Sequence, residues 1–156
     1  FALDNLWDGL GAIFMIYPQT KYLIGKFTMY TSFPVLGRNM IMHFARIYLS
    51  DKKKLFWPEN PIDTTVNDSD FEGLFCKNDY KKDYLTLNSE IRNMGYNIPP
   101  LVSSYMALSS SMKTFGTAIN DEFGDVEETG MMITVQDIYD DKRSRHMESY
   151  SADDEL

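Results

Sequence analysis

The residues best placed to do chemistry are two adjacent carboxylates, Asp121 and Glu122, in an acidic turn between two apolar stretches. A carboxylate at the end of a strand can orient an amine or accept its proton. A solvated turn is the simpler alternative, because Asp125, Glu127 and Glu128 follow directly. We treat Asp121 and Glu122 as candidates for amine binding or general-base catalysis.

Motifs of the common catalytic and metal-binding families are absent from the sequence. There is no Gly-x-Ser-x-Gly elbow, Walker loop, dinucleotide fingerprint or His-Glu-x-x-His pair. His43 and His146 are each more typical of structural, hydrogen-bonded histidines. Cys76 is the only cysteine, which excludes an intramolecular disulfide and a cysteine zinc cluster and favours a reducing compartment. No metal site is predicted.

Composition limits the class of protein and of partner. The 156 residues, 44% hydrophobic and 24% charged, fit one globular domain. A net charge of −8 disfavours non-specific nucleic-acid binding, so no nucleic-acid partner is expected. Ten Tyr, ten Phe and ten Met are enough to fill a core, to line an apolar ligand tunnel, or both. No apolar run reaches the roughly 20 residues that a membrane helix needs.

Hydrophobic periodicity predicts the elements that must position these residues. Apolar residues from Leu3 to Phe14 recur at helical spacing and predict an amphipathic helix that Pro18 ends. The β-formers of 22–30 predict a strand, in which Gly25 marks a bulge or a close approach of a ligand to the backbone. A second helix is expected over 35–49.

Further elements are predicted downstream: a helix over 80–91, a short helix over 101–108, strands over 112–119 and 129–135, and a last helix over 135–148. Leu55 to Trp57 reads as a short strand in the polar connection before them. Thr134 with Asp137 resembles the cap of the last helix. Short connections between helices and strands predict an α+β (α/β) fold with a sheet covered by helices.

Three parts of the chain are similar to a known family in their amino-acid sequence and in their order. They are the helix 1–12, the strand 22–30, and a Pro-Pro-Leu helix at 99–101 followed by a strand, the turn Asn120-Asp-Glu-Phe-Gly124 and a second strand. This set resembles the GNAT-type N-acyltransferases that build ornithine and glycine lipids in bacteria, also described as haemolysin-like. The family's fold is a mixed sheet flanked by helices.

The resemblance implies that the chain is the C-terminal portion of such an enzyme. Residues 1–150 would be the C-terminal part of a GNAT-like acyltransferase domain, and 151–156 an acidic, frayed end. The N-terminal strands and the Gly-rich donor loop would precede Phe1, where the sequence already reads as helix. We therefore expect the isolated chain to be inactive.

The implied reaction transfers a fatty (3-hydroxy)acyl group from acyl carrier protein to the α-amine of an amino acid such as glycine or ornithine. No cofactor is bound, and an acyl thioester of carrier protein or coenzyme A is the co-substrate. By the same resemblance, Gly25 and Lys26 would line the thioester. Trp7 and Tyr105 would flank the acyl or amine pocket, unless they only pack in the core. The implied location is the cytoplasm, with peripheral contact at the inner face of the cell membrane.

Two alternatives remain open at the sequence level. One is a non-catalytic interaction domain that uses its aromatic surface. The other is a different GNAT enzyme that uses coenzyme A or makes acyl-homoserine lactones; a long acyl chain would require a long apolar channel. An acidic carrier protein would have to dock on local basic clusters, either 52–54 or the face of Lys142, Arg143 and Arg145.

Overall fold

The computed structural model describes residues 2–64 and 68–147, with side chains described over 7–64 and 69–146. The predicted acidic end, 151–156, and the side chain of Leu3 lie outside the described part. In chain order the elements are α1 (Ala2–Ile16), β1 (Tyr22–Met29), α2 (Val35–Tyr48), α3 (Tyr80–Asn93), α4 (Pro100–Met106), β2 (Lys113–Asn120), β3 (Val126–Thr134) and α5 (Asp140–Met147). Short 3-10 turns lie at Asp68–Phe71, Asp121–Phe123 and Val135–Asp137.

The strands form one antiparallel sheet in the order β1-β3-β2. The edge of β2 is covered by the segment after α2: Ser50 bridges Thr114, and the N–H of Ile62 donates to the carbonyl of Thr117 at 2.8 Å. Within the described residues, the outer edge of β1 has no strand beside it. The prediction of an α+β fold, with helices against a sheet, is confirmed.

Three helices, α2, α3 and α4, pack into the main core with the sheet, and we call this region the packed half. Phe44, Leu87 and Val102 come from one helix each and are fully buried in one hydrophobic cluster, which also contains Met131 and Ile133 of β3. Local signals begin and end these helices. The side chain of Asp79 caps α3 by accepting from the N–H of Lys82 at 3.0 Å, and Pro100 occupies the first turn of α4, where its missing N–H costs nothing.

A buried carboxylate fixes the loop before α3 within the packed half. Asp83 accepts hydrogen bonds from the hydroxyl of Tyr48 at 2.5 Å and from the N–H groups of Cys76 and Lys77 at 2.9 and 2.8 Å. Burial alone would raise the pKa of Asp83, but these hydrogen bonds outweigh it and lower the pKa to about 2. The ionised carboxylate thus holds together the end of α2, the loop and the start of α3.

The short strand predicted at Leu55 to Trp57 is wrong. The segment is irregular, and its aromatic rings cover glycines of the sheet instead of pairing with a strand. The ring of Phe56 lies against Gly130 and contacts that of Phe115, with centroids 3.7 Å apart and planes tilted by 33°. Apolar content alone could not separate a paired strand from a loop that packs its side chains on a sheet.

The predicted start of the last helix is also wrong. Residues Val135–Asp137 form a 3-10 turn, and α5 begins at Asp140. Thr134 makes no side-chain cap, while Asp137 accepts from the hydroxyl of Ser111 at 2.5 Å. Asp137 therefore anchors the chain before β2 rather than a helix terminus. No described helix is both long and apolar enough to cross a membrane.

Candidate functional site

An apolar cavity of about 460 Å³ lies between α1 and β1. Its walls come from four elements: Trp7, Gly9, Leu10 and Ile13 of α1, Leu23, Ile24 and Gly25 of β1, Leu101 and Tyr105 of α4, and Met131 and Ile133 of β3. The volume is within the range of small-molecule sites, and the walls carry almost no polar side chains. The cavity is suited to an apolar ligand.

The helix α1 is held over the sheet by contacts at one end of the cavity. The ring of Trp7 meets that of Tyr105 edge to face, with centroids 5.7 Å apart and planes at 88°. Next to it, Nδ1 of His146 in α5 lies 2.9 Å from a carboxylate oxygen of Asp8. Burial raises the pKa of Tyr105, so its hydroxyl is a neutral group at the cavity wall.

Gly25 and Lys26 lie on opposite faces of β1, since successive side chains of a strand point in opposite directions. Gly25 lines the cavity, whereas the ammonium of Lys26 is 2.5 Å from Oε2 of Glu128 on the neighbouring strand. The amide of Asn120 donates to the other oxygen of Glu128 at 3.1 Å. The hydrogen bond from Lys26, supported by that from Asn120, lowers the pKa of Glu128 and keeps it ionised.

These charged groups belong to a second depression at the β2–β3 turn. We call it the polar site, and it is lined by Lys26, Thr28, Asn120, Glu122, Phe123 and Glu128. It holds one cation and two carboxylates on the face of β1 opposite the cavity. A small zwitterion, with an ammonium and a carboxylate of its own, is complementary to such a set.

The structure therefore divides the predicted site residues into two groups. Trp7, Gly25 and Tyr105 meet in the apolar cavity, while Lys26 and Glu122 meet in the polar site. Asp121 is exposed at the start of the turn and lines neither of them.

Sequence reasoning did not single out Glu128 and Asn120 within the polar site. Only the register brings them there: Thr28 of β1 and Ala118 of β2 both lie opposite Glu128. Alternation along β1 places Lys26 and Thr28 on one face, but the partner strand's alignment is set by long-range pairing.

The two basic clusters proposed for docking differ in availability. The side chains of 52–54 are exposed beside the sheet edge. Arg143, by contrast, donates to the carbonyls of Val135 and Gln136 at 2.9 and 3.2 Å and so supports the turn before α5. The cluster 52–54 is the more accessible of the two.

Fold and site together define an α+β domain with an apolar cavity on one face of its edge strand and an ionised polar site on the other. The chain is similar to two curated relatives named glycine N(alpha)-acyltransferase. It is 53% identical over 150 residues to the protein of Bacteroides thetaiotaomicron and 54% identical over 150 residues to that of Phocaeicola vulgatus. The match covers 96% of this chain but 44% and 46% of those proteins, so the chain spans less than half of their length.

No protein-family model matches the sequence, and no solved structure matches the chain.

Proposed function

We propose that the protein containing this chain is an N-acyltransferase that transfers a fatty acyl group from a thioester to the α-amine of glycine. The observation that carries the proposal is that β1 presents an apolar cavity on one face, at Gly25, and an ionised polar site on the other, at the next residue, Lys26. The similarity to relatives named for glycine acylation supports it.

In this proposal the apolar cavity holds the acyl chain. Burying methylenes is favourable by about 0.8 kcal/mol each, so apolar walls alone supply substantial affinity. The aromatic pair of Trp7 and Tyr105 forms part of the cavity wall. The thioester carbonyl would then lie near Gly25, at the strand edge that is unpaired among the described residues. Backbone N–H groups of such an edge are donors for the oxyanion of the tetrahedral intermediate.

Glycine is assigned to the polar site. Its carboxylate would pair with the ammonium of Lys26, and its amino group would approach Glu122 or Glu128. The amine must lose a proton before it attacks, and Glu122 is the candidate base because Glu128 is already paired with Lys26. The neutral amine attacks the thioester carbonyl, a new N–C bond forms and the C–S bond breaks. The nitrogen then gives up a second proton to the departing thiolate, which leaves as a thiol. Asp121 remains a second candidate for the base.

Acyl carrier protein is the proposed donor, with coenzyme A as the alternative. The exposed lysines of 52–54 offer an acidic carrier a place to dock in an otherwise acidic chain of net charge −8. The product would be an N-acylglycine for amino-acid lipid synthesis, made in the cytoplasm at the membrane's inner face. The assignment of residues 1–150 to the C-terminal part of a GNAT-like domain belongs to the same proposal.

Mass spectrometry of lipid extracts tests the proposal, using cells that express the complete reading frame around this chain. We expect new N-acylglycines, and their loss in a Leu101→Asp variant, because this change puts a charge in the cavity wall. Leu85→Asp is the matched control, since Leu85 is 70% exposed and lies in α3 away from the cavity.

A well-folded, well-expressed protein that yields no N-acylglycine would overturn the proposal. Acyl-homoserine lactones in the same extracts would point to the other GNAT activity. With purified protein, acyl carrier protein and coenzyme A thioesters compared at equal concentration identify the donor. If charge reversal of all three residues in 52–54 leaves turnover with the carrier-protein thioester unchanged, this cluster is not the docking surface.

A further inference from the structure

At several positions of this chain, the structure shows why the residue is glycine. Gly124 has a φ of 78° in the β2–β3 turn, a conformation that side chains rarely adopt. At Gly130 an added Cβ would lie 2.5 Å from the ring of Phe56, and at Gly116 it would lie 2.5 Å from the ring of Pro58. Backbone conformation or close packing therefore excludes larger residues at these positions.

Neither backbone conformation nor close packing explains the glycines at positions 9 and 25, Gly9 and Gly25. Gly9 lies within the helix α1, where an added Cβ would meet no described atom within 4 Å. At Gly25 the nearest described atom would be Sδ of Met131, at an ordinary contact distance of 3.6 Å. Neither residue has a positive φ. Glycine is less stable than alanine in the interior of a helix or strand, so both positions lose stability without a visible local return.

Both of these glycines line the apolar cavity, one from α1 and one from β1. We propose that Gly9 and Gly25 set the width of the cavity, so that an acyl chain passes against bare backbone on two of its walls. The inference rests on the proposed function, because it takes the cavity's ligand to be a fatty acyl chain. It adds Gly9 as a specificity-determining residue and gives Gly25 a reason to be glycine.

Replacing these glycines with alanine is expected to raise the stability of the protein and to weaken its binding of an acyl chain. In the complete protein, Gly9→Ala should raise the thermal midpoint by roughly 2 °C, because alanine favours the helix. Because Gly9 lines the cavity, the added methyl group is expected to narrow it, and palmitate binding, measured by calorimetric titration, should weaken about tenfold. Gly25→Ala should weaken binding similarly, with a small rise in the midpoint.

A control variant separates helix stabilisation from filling of the cavity. Ser89 is exposed on α3 and lines no part of the cavity. Ser89→Ala should raise the thermal midpoint through helix propensity and leave palmitate affinity unchanged. A methyl-branched fatty acid should lose more affinity than palmitate in Gly9→Ala, since it needs the greater width.

The outcomes distinguish this inference from the proposed function. If wild-type protein binds palmitate and both alanine variants bind it equally well, the width assignment is overturned while the acylation proposal stands. A lower midpoint in Gly9→Ala would also overturn it, because the glycine would then serve packing. If the wild type makes N-acylglycine without binding palmitate, the cavity is not the acyl site. Absence of both palmitate binding and N-acylglycine overturns the two proposals together.

Discussion

The packed half of the molecule and the region around the apolar cavity differ in how completely their apolar side chains are buried. In the packed half, Phe44, Leu87 and Ile91 are inaccessible to solvent, and even the buried carboxylate of Asp83 has three hydrogen-bond donors. The open half consists of the cavity and the parts of α1 and β1 that line it, where Ile13 is 47% exposed. The apolar side chains of the packed half are thus already covered by neighbours, whereas part of the cavity wall is still accessible to a ligand.

This difference separates stability from binding. A core packed to crystal-like density contributes through contacts already made, whereas an open apolar wall contributes only when a ligand covers it. Substitutions in the packed half should therefore change the free energy of unfolding, and substitutions in the open half should change ligand affinity. The contrast can be tested at single residues, from the largest expected effect to the smallest.

The largest effect is expected for Phe44→Ala. Phe44 is fully buried, and its ring contacts those of Phe75 and Tyr80 with centroids 5.6 and 5.3 Å away. The variant should lose about 3–5 kcal/mol of unfolding free energy, because a large cavity opens in a rigid core. Ile13→Ala should lose under about 1 kcal/mol in the same urea titration but weaken palmitate binding strongly. Similar losses of stability at both sites would break the contrast.

A smaller loss, about 2 kcal/mol at neutral pH, is expected for Asp83→Asn. An amide cannot accept all of the hydrogen bonds that the carboxylate accepts from Tyr48, Cys76 and Lys77. The pKa of Asp83 is lowered to about 2 from an ordinary value near 4, so its ionisation stabilises the fold above about pH 4. That contribution is lost as the pH falls through about 2.

Urea titrations at several pH values measure this effect. Wild-type stability should fall between about pH 4 and pH 2, and the part of that fall due to Asp83 should be missing in Asp83→Asn. Asp70→Asn, at an exposed position of the neighbouring 3-10 turn, is the matched control and should retain the wild-type slope. An unchanged slope in Asp83→Asn would show that the carboxylate is not the titrating anchor.

Trp7→Leu should have an intermediate effect on stability, about 1–2 kcal/mol, because it removes half-buried area and the edge-to-face contact with Tyr105. Trp7 lines the cavity, so palmitate affinity should fall as well. Trp57→Leu is the control: Trp57 is 48% exposed on the loop over β2 and does not line the cavity. Retained palmitate affinity in Trp7→Leu would assign this residue to packing alone.

The sequence predicted the elements of both halves better than their contacts. Helical spacing placed α1 and α2, and the turn around Gly124 placed the hairpin, because these signals are local. Through the family resemblance, Trp7 and Tyr105 were expected to flank the acyl or amine pocket, and Gly25 and Lys26 to line the thioester. Trp7, Gly25 and Tyr105 line one cavity, and their roles stay predictions. The side chain of Lys26 lies on the opposite face of β1 from Gly25, because successive residues of a strand alternate between its faces.

The partners of the polar site needed information that no local pattern contains. Glu128 was grouped with other acidic turn residues, and only the pairing of β3 with both neighbours places it beside Lys26 and Asn120. The same limit explains the error at Leu55 to Trp57, because the rings of Phe56 and Trp57 lie against Gly130 and Gly116 of a distant hairpin. Long-range register decides both cases.

The smallest change in stability is expected for Lys26→Met, under about 1 kcal/mol, since the side chain of Lys26 is 58% exposed and its ion pair with Glu128 is solvated. In the acylation assay of the complete protein, KM for glycine should rise about tenfold, because a charge-assisted pair with the substrate carboxylate is lost. Palmitate affinity should stay unchanged, because Lys26 points away from the cavity. Lys26→Arg should restore a KM closer to that of the wild type. Lys82→Met, at an exposed position of α3 outside the polar site, should leave the KM unchanged. An unchanged KM in Lys26→Met would show that glycine does not bind in the polar site, and only the cavity would then keep a proposed role.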